Sequence, residues 1–263
     1  MTARTSAFGR WNPTVKLGTL LAASAVIVAV TDPWTPTILW AAAVCAAVVA
    51  GRVPPRTLAG AHAALLAFAL SIFVGNVLLR SAGDVVAVVG PVRVTDHGLD
   101  VAAALAIRVF YLGVISVILV ATTDPVRLMT SLHQHARVPA GATFAVLAGM
   151  RVLEQLPAEW TTIRCAQALR DPGHEPGRLP TGVRATGAAT FTLLVGAVRR
   201  AERISVALEA RGLGSGPRTL AHPVPLGPGD VALAAAVGGT VTTVLVIGAA
   251  AGWLTGPGAL TAG

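Results

Sequence analysis

Five apolar segments, each close to the length that crosses a lipid bilayer, constrain this chain more than any other feature. They lie at about 15–31, 35–51, 61–79, 101–121 and 231–254. None of them contains Asp or Glu. A helix needs roughly 17–25 apolar residues to cross about 30 Å of hydrocarbon. We therefore expect an all-α, polytopic membrane protein with about five transmembrane helices, of which the first two are the shortest.

The composition supports a membrane location. Of the 263 residues, 54% are hydrophobic and 12% are charged, whereas soluble domains contain about 25% charged residues. The chain carries 20 Lys and Arg against 12 Asp and Glu, a net charge of +8. In a chain this apolar, anionic lipid and membrane orientation explain the positive charge better than nucleic acid does.

The distribution of arginine predicts the orientation of the chain, because positively charged loops stay in the cytoplasm. Twelve arginines lie in 122–230, the N-terminus is also basic, and no charge follows Asp230. We expect a plasma (inner) membrane protein with a cytoplasmic N-terminus and an outside C-terminus, in which the loop at 80–100 is also outside. The expected divisions are 1–122 for membrane helices 1–4, 123–229 for a group of cytoplasmic helices, and 230–263 for the last membrane helix and the outside C-terminus.

The cytoplasmic domain is predicted to contain about three amphipathic helices, because apolar residues recur in it at helical spacing. These helices are expected at about 125–137, 143–170 and 181–211. The turn-rich stretch 171–177 separates the two long helices. Pro157 is expected to kink or divide the first of them.

The sequence lacks the residue patterns of common membrane and soluble enzymes. It contains no His-Glu-x-x-His motif, no Gly-x-Ser-x-Gly turn and no Gly-x-x-x-x-Gly-Lys-Ser/Thr phosphate loop. Cys45 and Cys165 are far apart in the sequence, and the histidines include only one close pair, so we expect neither a disulfide nor a metal site. These patterns favour a non-catalytic protein without a cofactor of its own.

Arg108 is the one strongly polar residue deep in the fourth apolar segment. A charge at that depth normally faces protein or water. Asn76 in the third segment lies at a comparable depth if the two helices are antiparallel, and Asp84 or Asp100 is within reach of a long side chain. We expect one of these groups to hold Arg108, either as a structural contact or as part of a substrate pathway.

The second long cytoplasmic helix is predicted to end in an exposed arginine. In Ala210-Arg211-Gly212, the glycine can adopt the left-handed conformation that ends a helix, so that the guanidinium extends beyond the last turn. A planar guanidinium at a helix tip fits an acidic groove on a partner. The same spacing also describes an ordinary helix C-cap.

Several short motifs together resemble the transmembrane T component of energy-coupling factor (ECF) transporters, the CbiQ/EcfT family. In chain order they are Asn12-Pro13-x-x-Lys16-Leu17, Gly98-Leu99, Ile107-Arg108-Val109, Thr122-Thr123-Asp124-Pro125 and Glu209-Ala210-Arg211-Gly212. The resemblance covers about 12–219, and the motifs keep their positions relative to the apolar segments.

The resemblance implies a scaffold that joins two cytoplasmic ABC-type ATPase subunits to a small substrate-binding membrane (S) subunit. The partners bind and hydrolyse ATP, which powers uptake of a vitamin or a transition metal ion. The apolar stripes of the two long helices would then contact the S subunit. In that family the S subunit selects the substrate, so the substrate stays open, as does the subunit stoichiometry.

The resemblance also implies two Ala-Arg-Gly tips, each of which docks one ATPase. Ala210-Arg211-Gly212 matches this motif completely. At the end of the 143–170 helix, Arg170 is kept, but Leu169 replaces the alanine and Asp171 replaces the glycine. The unequal tips favour two different ATPases and weaker docking at Arg170.

Two other classes of function are weighed against this one. A membrane enzyme acting on lipid would use the cytoplasmic arginines to gather anionic head groups, but it would need the missing catalytic residues. A stand-alone secondary carrier would need intramembrane carboxylates, broken helices or paired half-repeats. The sequence shows none of these features.

Overall fold

The computed structural model describes residues 7–28, 30–80, 83–89, 92–170, 179–213 and 223–253. Within these residues the chain forms nine helices and one two-stranded hairpin, which confirms the all-α fold class. The helices are α1 (Ala7–Arg10), α2 (Pro13–Val28), α3 (Trp34–Val49), α4 (Pro55–Leu79), α5 (Asp96–Thr122), α6 (Pro125–His135), α7 (Ala140–Arg170), α8 (Val183–Ala210) and α9 (Pro228–Ala250).

The chain divides into two compact units. The first contains Met1–Leu128 and Val224–Gly263, and the second contains Met129–Pro223. These units are defined by contacts, whereas the predicted divisions after 122 and after 229 are defined by location in the membrane or the cytoplasm. The predicted divisions stay a prediction.

The helices of the first unit include the five apolar segments of the sequence. Among them, α4, α5 and α9 are long enough and apolar enough to cross a membrane. The helices α2 and α3 are apolar but have 16 residues each. Sixteen residues make about 24 Å of helix, less than the roughly 30 Å of hydrocarbon in a bilayer. The first two segments are therefore the shortest, as expected.

Packing in the first unit is centred on α5, which contacts α2, α3 and α4, while α9 packs against α2 and α3. The core between α2, α3, α5 and α9 is made of aliphatic side chains with one tyrosine; it includes Leu20, Ile27, Leu39, Tyr111 and Val241. On α4, by contrast, large apolar side chains such as Leu66, Phe68 and Leu70 are more than half exposed. An exposed apolar helix face of this kind is typical of contact with lipid.

A β-hairpin connects α4 to α5, where the sequence analysis expected only a loop. Strand β1 (Val85–Val89) pairs antiparallel with β2 (Val92–Thr95). Asp84 and Asp96 close the hairpin: the Asp96 amide donates to the Asp84 carbonyl at 3.1 Å, and the Asp84 amide donates to the Asp96 carboxylate at 3.0 Å. The sequence signal was present, because β-branched residues flank Gly90-Pro91 on both sides.

All three helices that were predicted for the cytoplasmic segment are present, with similar bounds. Asp124 caps α6, since its carboxylate accepts from the backbone amides of Val126 at 2.8 Å and Arg127 at 3.2 Å. The helix α7 continues through Pro157, so the proline does not divide it. The turn-rich 171–177 lies outside the described residues.

Gly113 of α5 lies against the side chain of Leu65 on α4, and this contact gives a testable prediction. A Cβ atom on Gly113 would lie 2.4 Å from Cδ1 of Leu65, whereas a Cβ on Gly75 of α4 would have no neighbour within 4 Å. We expect Gly113→Leu to destabilise the first unit by about 1–3 kcal/mol through overpacking, and Gly75→Leu to have little effect. Thermal unfolding of both variants in the same detergent tests this, and equal midpoints would contradict the packing account.

Candidate functional site

The helices α7 and α8 of the second unit form an antiparallel pair. Near the middle of α7, Arg200 pairs with Glu159 and donates to the side-chain oxygen of Gln155 at 2.7 Å. Near the end of α7, Gln167 donates to the carbonyl of Ala185, close to the start of α8, at 3.2 Å. Later residues of α7 therefore meet earlier residues of α8, which defines the antiparallel arrangement.

Pro180, shortly before α8, is also held to α7. Arg164 is 8% exposed, donates to the carbonyl of Pro180 and lies over the ring of Trp160, with the guanidinium carbon 5.8 Å from the ring centroid. A buried guanidinium that binds a main-chain carbonyl restrains the segment that leads into α8. The sequence analysis did not single out Arg164 for this position.

The end of α8 is a Schellman motif, which confirms that Gly212 ends the helix. Gly212 has φ of +76°, its amide donates to the Glu209 carbonyl at 2.8 Å, and the Leu213 amide donates to the Leu208 carbonyl at 2.9 Å. These two bonds satisfy carbonyls that the helix end leaves without an intrahelical donor. Arg211, the residue between Ala210 and Gly212, is exposed at this end.

The end of α7 carries the second predicted tip. Arg170 is the last residue of the helix and is exposed, and the neighbouring Leu169 is 90% exposed. Asp171, which was expected to weaken this tip, lies outside the described residues. The described residues include the helix cap that follows Arg211, whereas the residues that follow Arg170 lie outside the described part of the chain.

The antiparallel arrangement places the two arginines at opposite ends of the α7–α8 pair. Arg170 lies near the start of α8, because Gln167 contacts Ala185, and Arg211 lies at its end. The 28 residues of α8 make about 42 Å of helix. The backbone positions of the two arginines thus lie about 40 Å apart along the pair.

A groove of about 720 Å³ lies between α7 and α8 toward the Arg211 end. Its lining is almost entirely apolar and is rich in small residues; the lining residues include Gly141, Ala145, Ala148, Gly149, Val152, Ala197, Ala201, Leu208 and Leu213. On α8, the apolar side chains of Phe191, Leu194 and Val198 are at least half exposed. The pair therefore presents apolar surface that its own contacts do not cover.

The N-terminal motif forms the start of α2. The Asn12 side chain accepts from the Thr14 amide at 3.0 Å, and Pro13 occupies the first helical position, where no backbone donor is needed. One turn later, Lys16 is 1% exposed, and its ammonium donates to the Thr122 carbonyl at 3.2 Å and to the hydroxyls of Thr122 at 3.1 Å and Thr123 at 3.2 Å. Two motifs that are distant in the sequence thus meet in the structure.

Arg108 has a different partner from the one expected. Its guanidinium donates to the carbonyl of Val30, in the turn between α2 and α3. Asn76 instead donates to the Ile72 carbonyl of its own helix at 2.9 Å and accepts from Arg80 at 3.3 Å. The expectation that Asn76 or a loop carboxylate holds Arg108 is therefore wrong.

Asp32 is a buried carboxylate that the sequence analysis missed. It is 4% exposed, and one carboxylate oxygen accepts from the Thr35 amide at 2.7 Å at the start of α3. Its other oxygen, the Thr35 hydroxyl and Nε of Arg108 are buried without a hydrogen-bond partner among the described residues. Asp32 lies between two apolar segments in the sequence, so an interfacial turn was the natural expectation.

Comparison with known proteins identifies related chains. The family model CbiQ, described as cobalt transport protein, matches residues 5–220. The energy-coupling factor transporter transmembrane protein EcfT of Exiguobacterium sibiricum is 27% identical over 177 residues, which cover 65% of this chain and 67% of the relative. The protein of the same name from Limosilactobacillus fermentum is 31% identical over 144 residues, 52% of this chain and 54% of the relative.

A putative ABC transporter ATP-binding protein of Bifidobacterium longum is also similar to this chain. It is 29% identical over 217 residues, which are 78% of this chain and 27% of the relative. The chain therefore spans about a quarter of the length of that protein, and about half to two thirds of the length of the EcfT proteins.

The family match takes in the N-terminal motif, the helices α1–α8 and the Arg211 tip. Because it covers most of the chain, the protein belongs to the CbiQ family, as the motifs in its sequence indicated, and it is similar to the transmembrane EcfT components of energy-coupling factor transporters.

Proposed function

We propose that this protein is the transmembrane coupling subunit of an ECF-type ABC importer in the plasma membrane. Two cytoplasmic ATPase subunits bind the exposed helix ends at Arg211 and Arg170, and a small substrate-binding membrane subunit binds the apolar surface of α7 and α8. ATP hydrolysis in the partners drives uptake of a vitamin or a transition metal ion. The chain itself is non-catalytic and holds no cofactor.

The observation that carries the proposal is the position of the two arginines at opposite ends of one antiparallel helix pair. A separation of about 40 Å allows two subunits to bind at the same time without competing for one surface. The contacts of Arg200 with Glu159 and Gln155 join the helices between the two ends. A change in the distance between the two bound subunits would therefore move or bend the pair as a whole.

The chemistry of the tips supports docking to acidic grooves. At Arg211, the Schellman motif stops the helix and fixes the backbone from which the guanidinium projects. A guanidinium offers a planar set of donors that can bind a carboxylate through two parallel hydrogen bonds. The similarity to a protein named as an ABC transporter ATP-binding protein supports a link with ATPases of this class.

The apolar surface of the α7–α8 pair supports contact with a second membrane-embedded subunit. The groove contains small residues such as Ala145, Ala148 and Gly149, which permit close approach of another helix. The exposed Phe191 and Leu194 extend this surface along α8. Burying such side chains against an apolar partner contributes roughly 1.5–3 kcal/mol for each fully buried side chain.

The proposal includes the orientation expected from the arginine distribution, with the second unit in the cytoplasm, and cysteine labelling tests it. Cys165 is exposed on α7, so a membrane-impermeant thiol reagent should label it in inverted vesicles and not in intact cells. In a chain carrying Cys45→Ser and Cys165→Ser, a His97→Cys substitution should give the opposite pattern. Labelling of Cys165 from outside, or of position 97 from inside, would contradict this orientation.

Substitution of the two arginines tests the docking. A hydrogen bond to a charged group contributes about 1.5–3 kcal/mol, so Arg211→Ala should weaken ATPase capture by about ten- to a hundredfold. We expect Arg170→Ala to have a smaller effect, and the double variant to lose both ATPases and transport. Lysine at 211 should restore binding only in part, since a point charge does not reproduce the planar group.

The measurement is co-purification of the ATPases in mild detergent, with accumulation of labelled Co²⁺, Ni²⁺, biotin or thiamine in cells as the transport assay. Arg203→Ala is the matched control, because Arg203 is an exposed arginine of α8 away from its end. A double variant that captures ATPases and transports at the parental rate would show that the tips are not docking sites.

The conformation of Gly212 gives a second test of the Arg211 tip. With φ of +76°, alanine at this position costs about 1–2 kcal/mol, and asparagine is tolerated better. We expect Gly212→Ala to reduce ATPase capture by shifting the helix end, and Gly212→Asn to retain most of it. Both variants should insert into the membrane at parental amounts, as measured by immunoblot of membranes. Equal capture by the parental chain and Gly212→Ala would exclude a requirement for this helix end.

A further inference from the structure

The chain crosses between its two units twice, once in each direction. Thr122–Leu128, which follows α5, is the last stretch of the first unit before the chain leaves it within α6, and the chain returns at Val224, just before α9 begins at Pro228. Displacement of the second unit therefore acts on these two stretches of chain.

One short segment of the N-terminus binds both of these stretches. On the outgoing side, Lys16 donates three hydrogen bonds to Thr122 and Thr123, and Arg127 donates to the carbonyl of Gly9 at 3.0 Å. The outgoing chain is thus held at the end of α5 and again at the first turn of α6.

The returning stretch is held by Asn12. The Asn12 side-chain amide donates to the Val224 carbonyl at 3.3 Å, and its backbone amide donates to the Asp230 carboxylate at 2.5 Å. The second oxygen of Asp230 accepts from the Gly227 amide at 2.7 Å, which caps α9. The residues that connect the units therefore meet one N-terminal segment from both sides.

These contacts are shielded from water. Lys16 is 1% exposed, Asn12 2%, Thr122 3% and Asp230 5%. Hydrogen bonds in a buried polar network are stronger than at the surface, and removal of one partner leaves a buried donor or charge without compensation. The network therefore resists local opening at both connections.

We propose that the segment Gly9–Lys16, here called the N-terminal anchor, holds both connections in place, with Lys16 and Asn12 as its positioning residues. The anchor keeps displacement of α7 and α8 from being absorbed by fraying of the ends of α5 and α9. The inference rests on the proposed function, because the partner ATPases supply the displacement.

Hydrogen–deuterium exchange of the purified complex with its ATPases tests the anchor. Backbone amides of 116–122 and 230–236 are compared without nucleotide and during ATP turnover. In the parental complex, we expect both segments to exchange slowly in both states. In Lys16→Met, we expect exchange in 116–122 to become about ten- to a hundredfold faster during turnover than without nucleotide.

Two further variants serve as a control and as a milder substitution. Arg10→Met removes a positive charge from the same segment at an exposed position, and it should behave as the parental chain. Thr123→Val removes one of the three acceptors of Lys16, so its exchange in 116–122 should rise less during turnover. If Lys16→Met does not assemble with the ATPases, Thr123→Val is measured in its place. The expected order of the turnover-dependent increase is Lys16→Met, then Thr123→Val, then Arg10→Met.

The possible results separate the anchor from a purely stabilising role. Equal acceleration with and without ATP would mean that Lys16 only stabilises the fold, and it would overturn the proposal. Unchanged exchange in Lys16→Met and Thr123→Val with ATPases bound would overturn the anchor and leave the proposed function intact. Failure of the parental chain to bind any ATPase would overturn both.

Discussion

Two cations, the buried Lys16 and the half-buried Arg108, fix how α2 packs against α5, the helix on which packing in the first unit is centred. At one end, Lys16 of α2 binds the carbonyl of Thr122, the last residue of α5. At the other, Arg108 of α5 binds the carbonyl of Val30, just beyond the end of α2. Each cation occupies a helix C-terminus, where carbonyls have no intrahelical donor and the helix dipole is negative.

The spacing of these contacts fixes the register of the two helices. Lys16 precedes Val30 by the same number of residues that separate Arg108 from Thr122, so both ends match only when the helices are antiparallel and in one alignment. From Arg108, α5 continues back to Asp96 for about 18 Å beyond the end of α2. The turn between α2 and α3 therefore lies beside the middle of α5, which explains why Asp32 and Thr35 are buried there.

In the second unit, polar contacts hold the second half of α7 to the first two thirds of α8, and an apolar groove separates the helices toward the Arg211 end. Arg200, Gln167 and Arg164 join α7, α8 and the connecting segment. Under the proposed function, these contacts let the pair move as a whole when a bound subunit displaces one of its ends. The apolar surface that remains uncovered is then available for a partner.

The sequence by itself determined the elements and their ends, whereas only the tertiary structure decided which distant residues meet. The length of the apolar runs predicted α5 and α9, and apolar periodicity predicted α8, because it reflects local geometry. Gly212 was readable as a helix stop because glycine adopts a positive φ without steric cost. The valine-rich hairpin was equally local, and it was missed. By contrast, the Val30 partner of Arg108, the threonines around Lys16 and the placement of Arg170 and Arg211 at opposite ends depend on contacts between separate helices. Every helix end has main-chain carbonyls, whatever its residue types are. The sequence therefore does not show which carbonyl accepts a hydrogen bond from Lys16 or Arg108, and only the packing of the helices decides it.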